Sequence, residues 1–74
     1  MDGINRNRLR GIMAEKGLTI KALADEIEYS EVTLGNFLRG GNPSYGLIKA
    51  IVKALKLSPE DATQIFFGPE LLNA

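Results

Sequence analysis

The sequence predicts an all-α fold, a compact bundle of five short helices, and three observations support it. Apolar residues recur at helical spacing and show no sustained strand-like alternation. Residues that favour helix N-caps precede the apolar segments, and stretches with glycine or proline separate them. A chain of 74 residues is too short for a second core. We therefore expect residues 1–74 to form a single domain.

The first two helices are predicted near the start of the chain. The first spans about Asn5–Lys16 and ends at Gly17, a residue suited to the C-terminal stop of a helix. The second spans about Ile20–Ile27, and Thr19 is its expected N-cap. The apolar residues expected to face the core are Leu9, Ile12, Met13, Leu23, Ala24 and Ile27.

A short break at residues 28–30 separates the second helix from the third. Ser30 is the expected N-cap of that third helix, which spans about Glu31–Leu38. Residues 40–43, Gly-Gly-Asn-Pro, cannot continue a helix and predict a loop. The expected core residues around the break and in the third helix are Tyr29, Leu34, Phe37 and Leu38.

The last two helices carry the clearest local signals. Ser44 precedes a helix of about Tyr45–Leu55, whose apolar stripe lies opposite two lysines. Ser58 then precedes a helix of about Pro59–Phe67, with proline and two acids in its first turn. Gly68-Pro69 ends that helix, so residues 68–74 form a tail. The expected core residues are Leu47, Ile48, Ile51, Val52, Leu55, Ala62, Ile65 and Phe66.

The composition narrows the classes of function. The chain has neither cysteine nor histidine, which removes disulfides, thiolate metal sites and the commonest general base. We expect no enzyme activity, no metal and no cofactor. The longest uncharged stretch, Gly40–Ile48, is far shorter than the roughly 20 apolar residues of a membrane span. The first residues lack the apolar block of a signal peptide, so we expect a cytoplasmic protein.

Charge is balanced in number and segregated along the chain. Nine basic residues oppose nine acidic ones. Arginines cluster at residues 6–10, acids at residues 25–31, and only basic residues occur among the charges from Arg39 to Lys56. Phosphate neutralisation supplies much of the affinity for nucleic acid, and segregation permits a basic surface despite the zero sum. An ordinary mixed surface is equally compatible with these charges.

The second and third helices form the informative pair. A tight break between two short helices, as in residues 19–38, is typical of a helix-turn-helix, in which one helix stands out from its neighbours. A protruding helix of about two turns fits the DNA major groove, which is roughly 12 Å wide. The third helix is therefore the expected recognition helix.

Several segments follow one another in a specific order and spacing. They are Leu9-Arg10, Glu15–Thr19, Leu23-Ala24, Tyr29–Leu34, Phe37–Gly40, Asn42–Ser44, Leu47–Leu55 and Leu57–Glu60. Together they resemble the Cro/C1-type (XRE-like) helix-turn-helix family of phage and bacterial regulators. The resemblance covers about residues 5–67 and implies a lambda-repressor-like fold that binds double-stranded DNA.

The resemblance also implies which residues contact DNA. Outward positions of the recognition helix would read bases, and residues at helix N-termini and in the following loop would contact phosphate. The implied base-reading residues are Glu31, Val32, Gly35 and Asn36. The implied phosphate contacts are Lys21, Ser30, Thr33, Arg39, Asn42 and Ser44.

Some positions depart from the family pattern. Ile20 stands where a glutamine is frequent, and it cannot bridge phosphate and recognition helix. Glu28 stands where the turn usually has a glycine, and a left-handed conformation there would cost about 1 kcal/mol. The outward positions of the recognition helix carry no arginine, lysine or glutamine. Of those present, Asn36 would suit adenine and Val32 a thymine methyl group.

Several residues have a second interpretation. Val32 could pack under the loop, Gly35 could let two helices touch, and Asn36 could be merely solvated. Arg39 could pair with Glu28 or Glu31 instead of phosphate. The cationic residues could contact DNA, as an N-terminal arginine surface or as groove-flanking lysines, or could have ordinary surface roles: Arg6, Arg8, Arg10, Lys49 and Lys53.

The sequence thus predicts a sequence-specific DNA-binding transcriptional regulator, a small repressor of phage or mobile-element type. Double-stranded DNA is the expected partner, and the apolar tail suggests a homodimer on DNA or a tail folded against the first helix. No small-molecule effector is expected. The alternative is a protein-interaction module, accessory or antitoxin-like, that keeps the helix-turn-helix fold with weak or no DNA binding.

Overall fold

The computed structural model of the protein describes residues 3–67. The helices in that range are α1 (Arg6–Glu15), α2 (Ile20–Ile27), α3 (Glu31–Leu38), α4 (Tyr45–Leu55) and α5 (Pro59–Phe66). Between Gly3 and Phe67 there is no strand, and no helix is long and apolar enough to cross a membrane. The all-α prediction is confirmed.

The helix bounds follow the predicted ones closely. The bounds of α2, α3 and α4 coincide with the predicted spans. The prediction for α1 is one residue too long at each end, because Asn5 and Lys16 are its caps. Phe67 is likewise the C-cap of α5 and not its last residue. The predicted stop at Gly68-Pro69 and the tail 68–74 lie outside the described residues.

Each helix begins at a side-chain cap. The cap oxygen accepts a hydrogen bond from the backbone N–H three residues on, over 3.0–3.1 Å. Such a cap typically stabilises a helix by about 1 kcal/mol. The short polar residues therefore define where each helix starts. The N-caps are Asn5, Thr19, Ser30, Ser44 and Ser58.

The first four helices end in the same way. After each, a residue with positive φ donates its N–H three residues back, and the next N–H bonds the carbonyl five residues back. This is the Schellman motif, which satisfies the last carbonyls of a helix. Glycine occupies the positive-φ position after α1 and α3, whereas Glu28 and Lys56 occupy it after α2 and α4. The expected left-handed turn at Glu28 is confirmed.

The core lies where the helices converge. Helix α2 packs against α3 and α4, and α1 packs against α5. The N–H of Asn5 also donates to the Ile65 carbonyl over 2.7 Å, which joins the start of α1 to α5. The buried apolar residues are Leu9, Ile12, Met13, Leu23, Ala24, Leu34, Phe37, Leu38, Leu47, Ile51, Leu55, Ile65 and Phe66.

Most predicted core residues are buried, and a few are not fully so. Ile27, Ile48, Val52, Tyr29 and Ala62 are only half-buried, which corrects the prediction for them. These residues lie at the margins of the helix contacts, where one side of the side chain still meets water.

Candidate nucleic-acid interface

The outer face of α3 is open. Glu31, Thr33 and Asn36 are exposed, and Val32 is 69% exposed. The opposite face carries Leu34, which is fully buried. Val32 therefore does not pack under the loop, and α3 presents an uncovered edge within the part of the chain that the structure describes.

Gly35 lies on this face but is covered by a side chain of its own helix. It is buried, because the guanidinium of Arg39 lies over it. A Cβ at position 35 would lie 3.2 Å from Nη1 of Arg39. The nearest atoms belong to Arg39 and not to another helix, so the structure gives Gly35 an intrahelical neighbour instead of the helix contact that was the second interpretation.

Arg39 lies back along α3. Its Nη2 donates to Oδ1 of Asn36 over 2.9 Å. Within residues 3–67 no ion pair joins it to Glu28 or Glu31, the partners that the sequence left open. Arg39 and Asn36 therefore form one polar unit on the exposed side of the helix.

The N-terminus of α3 holds two hydroxyls in a chain. Ser30 Oγ accepts from the Thr33 N–H over 3.0 Å and donates to Thr33 Oγ1 over 2.8 Å. Both hydrogen-bonding functions of Ser30 are thus used within the helix start. The Thr33 hydroxyl proton has no acceptor between Gly3 and Phe67 and can be donated to an anion.

Tyr29 contacts the first turn of α4. Its hydroxyl oxygen lies 2.9 Å from the position that a Cβ of Gly46 would occupy. Tyr29 directly precedes the cap of α3, and Gly46 lies in the first turn of α4. Its side chain therefore connects the start of α3 to the start of α4, and each helix N-terminus carries a positive partial charge.

The loop after α3 is fixed from both sides. The N–H of Gly41 donates to the Asn36 carbonyl over 2.8 Å, and a Cβ at position 41 would lie only 2.9 Å from that carbonyl oxygen. Arg6 donates to the Gly41 carbonyl over 2.9 Å. Asn42 follows directly and is exposed.

The N-terminal arginines make contacts within the domain. Arg6 Nε donates to the Phe37 carbonyl over 2.7 Å, and its guanidinium lies 5.1 Å from the centroid of the Phe37 ring. Arg10 Nη2 donates to the Leu38 carbonyl over 2.9 Å. Arg8 lies 3.8 Å from the carboxylate of Asp61. Arg6 and Arg10 thus satisfy the last carbonyls of α3.

The first two residues of α2, Ile20 and Lys21, differ in burial. Lys21 is exposed, as a phosphate contact requires. Ile20 is half-buried and packs against the core. The family's usual link between phosphate and recognition helix is replaced here by an apolar contact.

Tyr45 is a candidate residue of this interface that the sequence analysis missed. It is 76% exposed at the first position of α4, next to Ser44, and Lys49 Nζ lies 5.3 Å from the centroid of its ring. A tyrosine followed four residues later by a lysine is the available signal, because these positions share a helix face.

Between Gly3 and Phe67 no group of three His, Cys, Asp or Glu side chains could hold a metal.

Comparison with known proteins agrees with this geometry. A family model described as helix-turn-helix matches residues 9–61, a segment that contains α2, α3 and α4. No curated protein and no solved structure matches the chain. The matched family is of Cro/C1 type and consists of DNA-binding regulators. The chain belongs to the Cro/C1-type helix-turn-helix family.

Proposed function

We propose that this chain is a sequence-specific transcriptional repressor that inserts α3 into the major groove of double-stranded DNA. The observation that carries the proposal is the uncovered edge of α3, flanked by the N-terminus of α4 and the loop that holds Asn42. An exposed two-turn helix beside donors suited to phosphate is the arrangement by which such helices dock.

The exposed side chains divide into two roles. Glu31, Val32 and Asn36 face outward and read base edges: a carboxylate accepts from cytosine N4, and an isopropyl group meets a thymine methyl. Donors around them hold the phosphates and set the register. The proposed phosphate contacts are Lys21, Ser30 through its backbone N–H, Thr33, Asn42 and Ser44.

Repression follows from occupancy, because a bound domain excludes polymerase from its operator. We propose that the whole chain acts as this one domain, in the cytoplasm, without a small-molecule effector. The phage or mobile-element origin is supported by the resemblance to that family alone.

The dimer on DNA is supported by an open apolar groove of about 540 Å³. Ile48, Val52 and Phe67 line it, and Phe67 is 47% exposed. Two-fold repressors bind half-sites about 34–36 Å apart, so a second copy would double the contacts. Sedimentation with and without a two-half-site duplex measures the stoichiometry. One copy per duplex would contradict the dimer.

The second candidate is a protein-interaction module without DNA affinity. One observation favours it: Arg6 and Arg10 bind backbone carbonyls, so two of the basic residues are withdrawn from any phosphate-binding surface. The acidic residues near the end of α2 remain exposed.

Titration with duplex DNA at two salt concentrations separates the candidates. A repressor loses affinity steeply as salt rises, because bound phosphates release counterions. Lys21→Ala should lower the salt slope by about one unit, and Arg8→Ala, on the α1–α5 side, should leave it unchanged. Absence of binding at both salt concentrations would overturn the proposal and support the interaction module.

A further inference from the structure

We propose that Arg39 and Asn36 act as one unit that recognises guanine, and that Arg39 is a base-reading residue and not a phosphate contact. This inference rests on the proposed function, since it names a base that α3 reads. It assigns Arg39 a different role from the one its place at the end of the helix implies.

The first step is the direction of the Arg39 side chain. Its Cα belongs to the C-cap of α3, yet its guanidinium lies over Gly35, one turn toward the N-terminus of the helix. The N-terminal part of a recognition helix is the part that meets base edges. The positive group is therefore directed along the reading face and away from the loop at residues 40–42.

The second step is the orientation of the Asn36 amide. To pair with adenine, this amide must accept from N6 with its oxygen and donate to N7. Its Oδ1 already accepts from Arg39 Nη2 over 2.9 Å. Its Nδ2 carries two further donors on an exposed side chain, and the guanidinium carries more N–H groups beside them.

The third step is the match to a base. The unit presents donors, and guanine offers two acceptors, O6 and N7, on its major-groove edge. Adenine and cytosine each present an amino donor there, which the unit would oppose. Thymine presents one acceptor and a methyl group. Guanine is therefore the complementary base.

Gly35 sets how closely the guanidinium lies against the helix. A Cβ there would lie 3.2 Å from Nη1, 3.5 Å from Nη2 and 3.6 Å from Cζ of Arg39. An alanine at this position would displace the guanidinium by a few tenths of an ångström without changing any charge. Gly35→Ala thus tests the geometry separately from the charge.

The experiment selects bound fragments from a random duplex library with the wild-type chain and its variants. The wild type should enrich guanine at one position of each half-site. Replacing that guanine with 7-deazaguanine, which lacks the N7 acceptor, should weaken wild-type binding about tenfold. Arg39→Lys keeps the charge but not the two-pronged donor, so its salt slope should be unchanged and its response to 7-deazaguanine much smaller.

Two further variants complete the comparison. Gly35→Ala should reduce guanine enrichment, because the guanidinium shifts, and keep the wild-type salt slope. Lys21→Ala should bind every duplex less tightly and keep the guanine enrichment. Circular dichroism of each variant verifies that the helices are intact; Arg39 and Lys21 are exposed, and alanine at position 35 favours the helix.

Three results would overturn the proposal. They are full guanine enrichment by Arg39→Lys, uniform loss on all duplexes with a salt slope lowered by about one in Arg39→Ala, or adenine selected at the position that depends on Asn36. Failure of the wild-type chain to bind any duplex would instead overturn the proposed function, and this proposal with it.

Discussion

The two ends of α3 differ in what holds them. At the C-terminal end, Arg6 and Arg10 of α1 donate to the carbonyls of Phe37 and Leu38, and the rings of Phe37 and Phe66 stack with centroids 6.2 Å apart. At the N-terminal end, within residues 3–67, the side-chain hydrogen bonds that cap the helix come from Ser30 and Thr33 alone. One end is anchored to the rest of the domain and the other is presented to solvent.

The difference follows from the polarity of the helix. Its last carbonyls carry a negative partial charge and are satisfied by arginine, whereas its first N–H groups carry a positive one and attract anions. Anchoring the negative end with cations of the protein leaves the positive end for phosphate. The following predictions test this division, from the largest expected effect to the smallest.

The largest effect should come from the buried side of α3. Leu34 is fully buried, so Leu34→Ala should lower the free energy of unfolding by about 2–5 kcal/mol, through lost burial and the cavity left behind. Val32, two residues away and 69% exposed, supplies the matched control, and Val32→Ala should change stability by less than about 1 kcal/mol. Urea unfolding measures both. Similar losses in the two variants would contradict the division into inner and outer faces.

The next effect concerns the anchored end. Arg6→Ala removes hydrogen bonds to the Phe37 and Gly41 carbonyls and should destabilise the domain by about 1–3 kcal/mol. Arg8→Ala removes only an exposed ion pair and should cost less than about 1 kcal/mol. Thermal unfolding compares them. An Arg6→Ala variant as stable as Arg8→Ala would show that the anchor contributes nothing.

The smallest effect concerns the turn that leads into the open end. Glu28 has φ 62°, where a side chain is strained, so Glu28→Gly should stabilise the domain by about 0.5–1 kcal/mol. Glu26→Gly, inside α2, should destabilise it by about 1 kcal/mol. Opposite signs in one chemical substitution isolate the backbone effect. A destabilised Glu28→Gly variant would indicate that the glutamate side chain stabilises the turn.

Much of the fold follows from local patterns in the sequence. Short polar caps and apolar spacing predicted α2, α3 and α4 to the residue, because both act within one or two turns. The residue that takes the left-handed conformation after each helix was harder to predict. Glycine signalled the left-handed residue after α1, but Lys56 adopts the same conformation without any such signal. Hydrogen bonds from the Lys56 and Leu57 N–H groups to the last carbonyls of α4 accompany that conformation, and sequence spacing does not record them.

The candidate site shows the same limit. The exposed face of α3 could be predicted, since helical periodicity alone separates Val32 from Leu34. The position of the Arg39 guanidinium could not be predicted, because a long flexible side chain has many conformers. Its partner, Asn36, follows from where the side chain lies on the helix surface. The partners of Arg6 and Arg10 could not be predicted either, because these side chains bind carbonyls 28 or more residues away.

The hydrogen bond from Arg6 to the Gly41 carbonyl limits how far the chain can be truncated without loss of function. The family match begins at residue 9, after the residue that ties down the far end of the recognition helix. It also ends at residue 61, before Ile65, whose carbonyl accepts from Asn5. A fragment trimmed to the matched segment would keep every proposed DNA-contacting side chain and lose both ties. Truncations and fusions should therefore preserve residues 4–67 as the smallest unit.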